Sequence, residues 1–108
     1  MELLELLEQE KVEEFNAARG MNTRIDLFAA DLSEKNLTGV NLTGANLQKA
    51  DLSGTNLTDA ELTQTDLSGA DLTGAVLKNV SGMRSRWRDA YLGEADLSDA
   101  DLAGADMT

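Results

Sequence analysis

The chain of 108 residues contains no cysteine and no histidine. The first absence excludes a disulfide framework and thiolate chemistry. The second removes the commonest general base and the commonest metal ligand. Aromatic residues are few: Phe15, Phe28, Trp87 and Tyr91. A compact globule of this length fills its one modest core with large apolar side chains, and this inventory is mostly Leu and Ala. Basic residues are also scarce, 9 against 20 acidic ones, for a net charge of −11. A direct nucleic-acid binder needs a positive footprint, and an anionic membrane surface would repel such a chain. A basic groove on a protein partner, or a DNA-binding protein deceived by an acidic surface, stays open. No apolar run approaches the ~20 residues that span a bilayer. The opening Met1-Glu2-Leu3-Leu4-Glu5 lacks the basic segment of a signal peptide. The expectation is a cytoplasmic protein without a cofactor.

What the sequence does hold is a period of five. Leu stands at every fifth position from Leu27 to Leu77, then at Leu92, Leu97 and Leu102, with Met107 last. Two residues before most of these comes a small residue, most often Ala. Asp or Asn lies between them in most pentads; Ser or Thr usually follows the Leu, and often Gly after that. This period matches neither an α-helix nor a flat strand. A chain that bends once per pentad fits better. Four bends close a square coil of about twenty residues, and coils stack at strand spacing, about 4.7–4.9 Å. Leu and the small residue point inward. The 14 acidic residues between 25 and 108 all occupy the outward positions just before the Leu or two after it. That is where unpaired charge costs least. Lys35 is the one charge on an inward position, where its long stem can reach solvent.

Pentads such as Ala45-Asn46-Leu47-Gln48-Lys49, Ala50-Asp51-Leu52-Ser53-Gly54 and Ala70-Asp71-Leu72-Thr73-Gly74 resemble those of the pentapeptide-repeat family. The resemblance covers residues 25–108. It implies an all-β solenoid, a right-handed quadrilateral β-helix of about four coils. Residues 21–108 are assigned to that array and residues 1–20 to an N-terminal capping α-helix. Leu3, Leu4, Leu7, Val12, Phe15 and Ala18 fall on one broad face of such a helix, while Leu6 lies off it. Arg19 stands near its end, as the helix dipole favours, and Gly20 suits the position just beyond.

At the other end, Leu97, Leu102 and Met107 would face an open coil, a candidate end-to-end interface for a homodimer. Several members of the family dimerise through their C-terminal coils. The phase of the Leu ladder breaks at Gly82 and Trp87, in a stretch rich in base that also holds Tyr91. Trp87 would crowd a core sized for Leu, so a distorted corner or a loop is expected near Ser81–Arg86. Arg84, Arg86, Trp87, Arg88 and Tyr91 form a candidate partner-binding patch, because Trp and Arg are favoured at binding hot spots. Stacking by twenty residues aligns Asp31, Asp51 and Asp71 in an acidic column. Paired carboxylates can act as acid and base, but a convex column offers no cleft to separate their pKa values. No catalytic, cofactor or metal residue is assigned. The leading expectation is a non-catalytic scaffold with a protein partner. The alternative, which the resemblance implies, is a DNA mimic acting on a DNA-processing enzyme such as gyrase.

Overall fold

The structure, a computed structural model, describes residues 2–22 and 24–108. From Asp26 to Arg86 every fifth residue forms an isolated parallel bridge with the residue twenty further on. Four columns result, which start at Asp26, Asp31, Asn36 and Asn41. Each column runs up one face of the array, and each face is named here by its first residue. The chain extends over 35 × 25 × 24 Å.

Most bends are closed β-turns: the N–H two residues before one Leu donates to the carbonyl of the Leu before it, as in Ala45 N–H to Leu42 O at 2.9 Å. The residue two after the Leu adopts positive φ. Gly39 (+76°) and Gly44 (+72°) fill this place, and so do Ala29 (+58°), Lys49 (+60°), Gln64 (+58°) and Arg84 (+58°). Asp or Asn before the Leu completes the bend. Its Oδ1 accepts the N–H two residues on and often the hydroxyl there: Asn56 takes Thr58 N–H at 3.0 Å and Thr58 Oγ1–H at 2.6 Å. This local bonding is why Asp and Asn favour turns.

The Leu ladder is fully buried through the middle coils, from Leu32 to Leu77. Two inward threonines satisfy their hydroxyls on carbonyls of the preceding coil: Thr55 on Leu32 O at 2.7 Å, Thr65 on Leu42 O at 2.8 Å. No excursion occurs between Ser81 and Arg86. Bridges continue at Ser81, Arg86 and Tyr91, so the expected loop is absent. Gly82 stands at one inward Leu position, beside Leu102 and Ser85, and Trp87 takes the next one with 2 % of its surface exposed. Ser85, also buried, turns its hydroxyl to Gly82 O rather than to the coil below, and accepts the Trp87 indole N–H at 2.6 Å. A Cβ on Gly82 would lie 2.8 Å from Leu102 Cδ2.

The N-terminal segment is two helices, not one: α1 (Leu3–Glu8) and α2 (Val12–Arg19). Glu10 separates them at φ +60°. The break rotates α1, so Leu6 is buried with Leu7 while Ala18 on α2 is exposed. Leu7 and Phe15 are completely buried in the same apolar cluster as the array.

Candidate interaction surfaces

The bridges sort the outward residues onto four faces. The Asp31 face carries the column Asp31–Asp51–Asp71–Tyr91, with Glu34 and Glu94 two positions past their Leu. It holds five acidic residues and no outward base, although the charge of Lys35, at the inward position of the next pentad, reaches Asp31. Each of the other three faces carries one more acidic residue than basic ones, with Lys35 counted on the Asn36 face. Net charge is therefore segregated. Hydrogen bonds from the Ser33 hydroxyl and N–H hold the Asp31 carboxyl below its ordinary range, and Thr73 does the same for Asp71. Burial is not the cause, because both groups stand in solvent.

The basic stretch is dispersed rather than gathered. Arg86 and Arg88 lie on the Asp26 face, Arg84 belongs to the pentad before the corner, and Lys78 lies on the Asn36 face. Arg88 Nε pairs with Asp106 at 2.7 Å, and Lys78 Nζ lies 3.7 Å from Asp96. With Asp66 and Ser68, Arg86, Arg88 and Asp106 line a shallow depression of balanced charge. Trp87 cannot serve as a surface contact, since it is inside the array. Tyr91 is 65 % exposed and continues the acidic column.

The terminal coil differs from those beneath it. Ala95, Leu97, Ala100 and Leu102 are only half-buried and Met107 is 45 % exposed. At the opposite end the first coil is covered. Arg19, 4 % exposed, donates to Asn41 O at 2.6 Å and Thr43 O at 2.8 Å. Burial pulls its guanidinium below the ordinary arginine value. Asn16 Oδ1 accepts Asn41 N–H at 2.8 Å, and Glu10 accepts Asn36 N–H. The sequence reading assigned Arg19 to the helix dipole and missed these contacts. Their signal was a basic and two polar side chains just ahead of a coil with unmet backbone groups. Among the described residues, no group of three acidic side chains is placed to hold a metal ion.

The family model for pentapeptide repeats matches residues 23–59, 55–81 and 84–108, with eight copies. The chain belongs to the pentapeptide-repeat family. A search of curated proteins found no significant match. Among solved structures, it is similar to HetL, a pentapeptide repeat protein involved in heterocyst differentiation regulation from the cyanobacterium Nostoc. The two are 35 % identical with a TM-score of 0.72, over 75 % of this chain and 38 % of that one. It is also similar to QnrB1, a plasmid-mediated fluoroquinolone resistance protein, at 31 % identity and TM-score 0.71, over 74 % of this chain and 39 % of that one. The chain thus spans about two fifths of the length of these relatives.

Proposed function

We propose that this protein is a non-catalytic scaffold whose Asp31 face binds a basic surface of a protein partner. The observation that supports it is that the turn position on this face does not require a charged acceptor. Asn36, Asn41, Asn46 and Asn56 occupy the same turn position and accept the same N–H as neutral side chains. Three successive Asp residues instead stack like charges at strand spacing, which favours a partner of opposite charge. A scaffold that used this position only for turns would carry Asn there.

The test replaces Asp31, Asp51 and Asp71 together with Asn, which keeps every turn acceptor. The scaffold reading expects a partner captured by the wild-type chain to be lost by the triple variant. A variant with Asn36 and Asn56 changed to Asp, on the next face, should retain it. Equal capture by both variants would remove the Asp31 face from the account.

A second reading is favoured by the likeness to QnrB1 together with the excess of acidic residues. Here the array imitates duplex DNA and acts on gyrase. It expects the protein in excess to alter gyrase supercoiling, or its inhibition by a fluoroquinolone. Unchanged supercoiling in both assays would dismiss it. Pairing of two copies through Leu97, Leu102 and Met107 is part of the same reading, and the partial exposure of these side chains supports it.

A further inference from the structure

We infer that the Asn41 face carries a binding site for a single small oxyanion, a carboxylate or a phosphate. Its parts are the backbone N–H groups of Thr63 and Met83, the Thr63 hydroxyl and the Arg84 guanidinium. The site lies on the face opposite the Asp31 face and does not rest on the reading proposed for that face.

Every pentad directs one N–H outward, that of the residue after the Leu position. In the twelve pentads with Asp or Asn before that position, the Oδ1 of the Asp or Asn accepts it. Five pentads hold another residue there: Glu61, Val76, Ser81, Arg86 and Tyr91. In these the N–H groups of Thr63, Lys78, Met83, Arg88 and Gly93 have no protein acceptor among the described residues. Val76 offers no acceptor at all. The Glu61 carboxyl is one methylene too far from the backbone, and the Ser81 hydroxyl is one atom too near, to close the ring that Asp closes.

Stacking decides which of these donors can act together. Lys78, Arg88 and Gly93 each lie beside a pentad of the same face whose N–H is already taken, at Thr58, Ser68 and Thr73. Thr63 and Met83 are consecutive on one face, because Glu61 bridges to Ser81. Two unclaimed N–H groups therefore stand about 4.8 Å apart. The Thr63 hydroxyl is unclaimed as well, whereas Asn56 takes both the N–H and the hydroxyl of Thr58.

A shallow depression is lined by Thr63, Met83, Arg84, Ala103 and Gly104. The small residues at 103 and 104 keep it open, and the Arg84 stem lies across Gly104, with Cγ 3.4 Å from where a Cβ would stand. The Arg84 guanidinium makes no ion pair among the described residues, unlike that of Arg88. An oxyanion here would serve two turns as Asp serves one. Separate oxygens would accept the Thr63 and Met83 N–H groups, the Thr63 hydroxyl would donate as well, and Arg84 would balance the charge. Backbone N–H groups that line a concavity bind anions, and hydrogen bonds to a charged acceptor are the stronger kind. Two carboxylates share the face. Asp101 already accepts Ala103 N–H at 3.1 Å, and Glu61 opposes the ligand by its charge.

The test is NMR on the full chain, titrated with sodium phosphate and separately with sodium acetate, at fixed pH and with sodium chloride holding the ionic strength constant. The Thr63 and Met83 amide protons should shift downfield and saturate. Those of Thr58 and Ala103, bonded to Asn56 and Asp101, should stay in place. A response to phosphate alone, or to acetate alone, supports the site and names the source of the oxyanion. Arg84→Gln should weaken binding about tenfold, and Glu61→Gln should tighten it. Glu61→Asp together with Ser81→Asp supplies each N–H with the acceptor of a regular pentad. This variant should keep the fold and lose the response. Saturable shifts that survive in it, or no shift in the wild-type chain with either anion, would overturn the inference.

Discussion

The indole N–H of Trp87 donates to the Ser85 hydroxyl, which in turn donates to the carbonyl of Gly82. This relay lets the largest side chain of the array lie in a core sized for Leu. Trp87→Leu should leave a cavity and cost about 2 kcal/mol, and Gly82→Leu should overpack by about 1–3 kcal/mol. Together they restore the regular ladder. The double variant should be destabilised by at least about 1 kcal/mol less than the sum of the singles. Urea denaturation of the four proteins checks it; strict additivity would show that the two positions do not share space.

Left-handed corners differ in cost by residue. Gly39 has φ +76° and open space where a Cβ would go, so Gly39→Ala meets no clash and isolates the backbone effect. A loss of about 1 kcal/mol is expected. Gln64→Gly, at a corner already held at +58° by a side chain, should be neutral or slightly stabilising. Thermal melts would decide both.

Acid should weaken the array. Hydrogen bonds from Ser33, Thr73 and Ser98 lower the carboxyl pKa of Asp31, Asp71 and Asp96 respectively. That of Asp106 falls to about 2, chiefly through the Thr108 hydroxyl and Arg88. A carboxyl whose pKa is depressed by folding stabilises the fold above its unfolded value, near 3.9, and loses that contribution as pH falls through the folded one. The melting temperature should be level from about pH 7 to 5 and fall from about pH 4 towards 2. Asp71→Asn keeps the turn acceptor and should reduce the fall. A melting temperature that rises below pH 4 would mean that relief of carboxylate repulsion outweighs the lost hydrogen bonds.

The turn acceptor itself can be weighed where no charge is involved. Asn56 Oδ1 receives both the N–H and the hydroxyl of Thr58. Asn56→Ala should cost about 1 kcal/mol, and Asn56→Asp should restore most of it near neutral pH. Chemical denaturation of the two variants measures this directly; an Asp variant as weak as the Ala variant would contradict it.

Much of the array was legible because one five-residue unit repeats the same instructions: Leu inward, Asp or Asn to close the turn, a small residue to begin the next. What escaped that reading depends on pairs of residues. Gly82 and Trp87 each look like a defect to a period of five, yet the bridges continue through Ser81, Arg86 and Tyr91 without a loop, and the Ser85 hydroxyl links the two positions. Ala29, Lys49 and Arg84 take a backbone conformation that suits glycine, since coil closure overrides local preference. The helical segment reads as one amphipathic run. It divides at Glu10, whose carboxyl is bonded to Asn36 N–H in the first coil. Of the proposed patch, Tyr91 and the arginines are exposed but spread over several faces, and Trp87 is not on the surface. Which face carries surplus charge became visible only when the bridges assigned each acid to a column.

The scaffold account is tested most directly by asking which face a partner touches. A photoreactive residue can replace Ser53, Thr58, Thr63 or Ser68, equivalent outward positions on the Asp31, Asn36, Asn41 and Asp26 faces in turn. Irradiation in a lysate of the natural host, followed by recovery of the chain, reads out the contact. The account predicts a discrete adduct from position 53 and little from the other three. Adducts of equal yield from all four positions, or from position 63 alone, would contradict it.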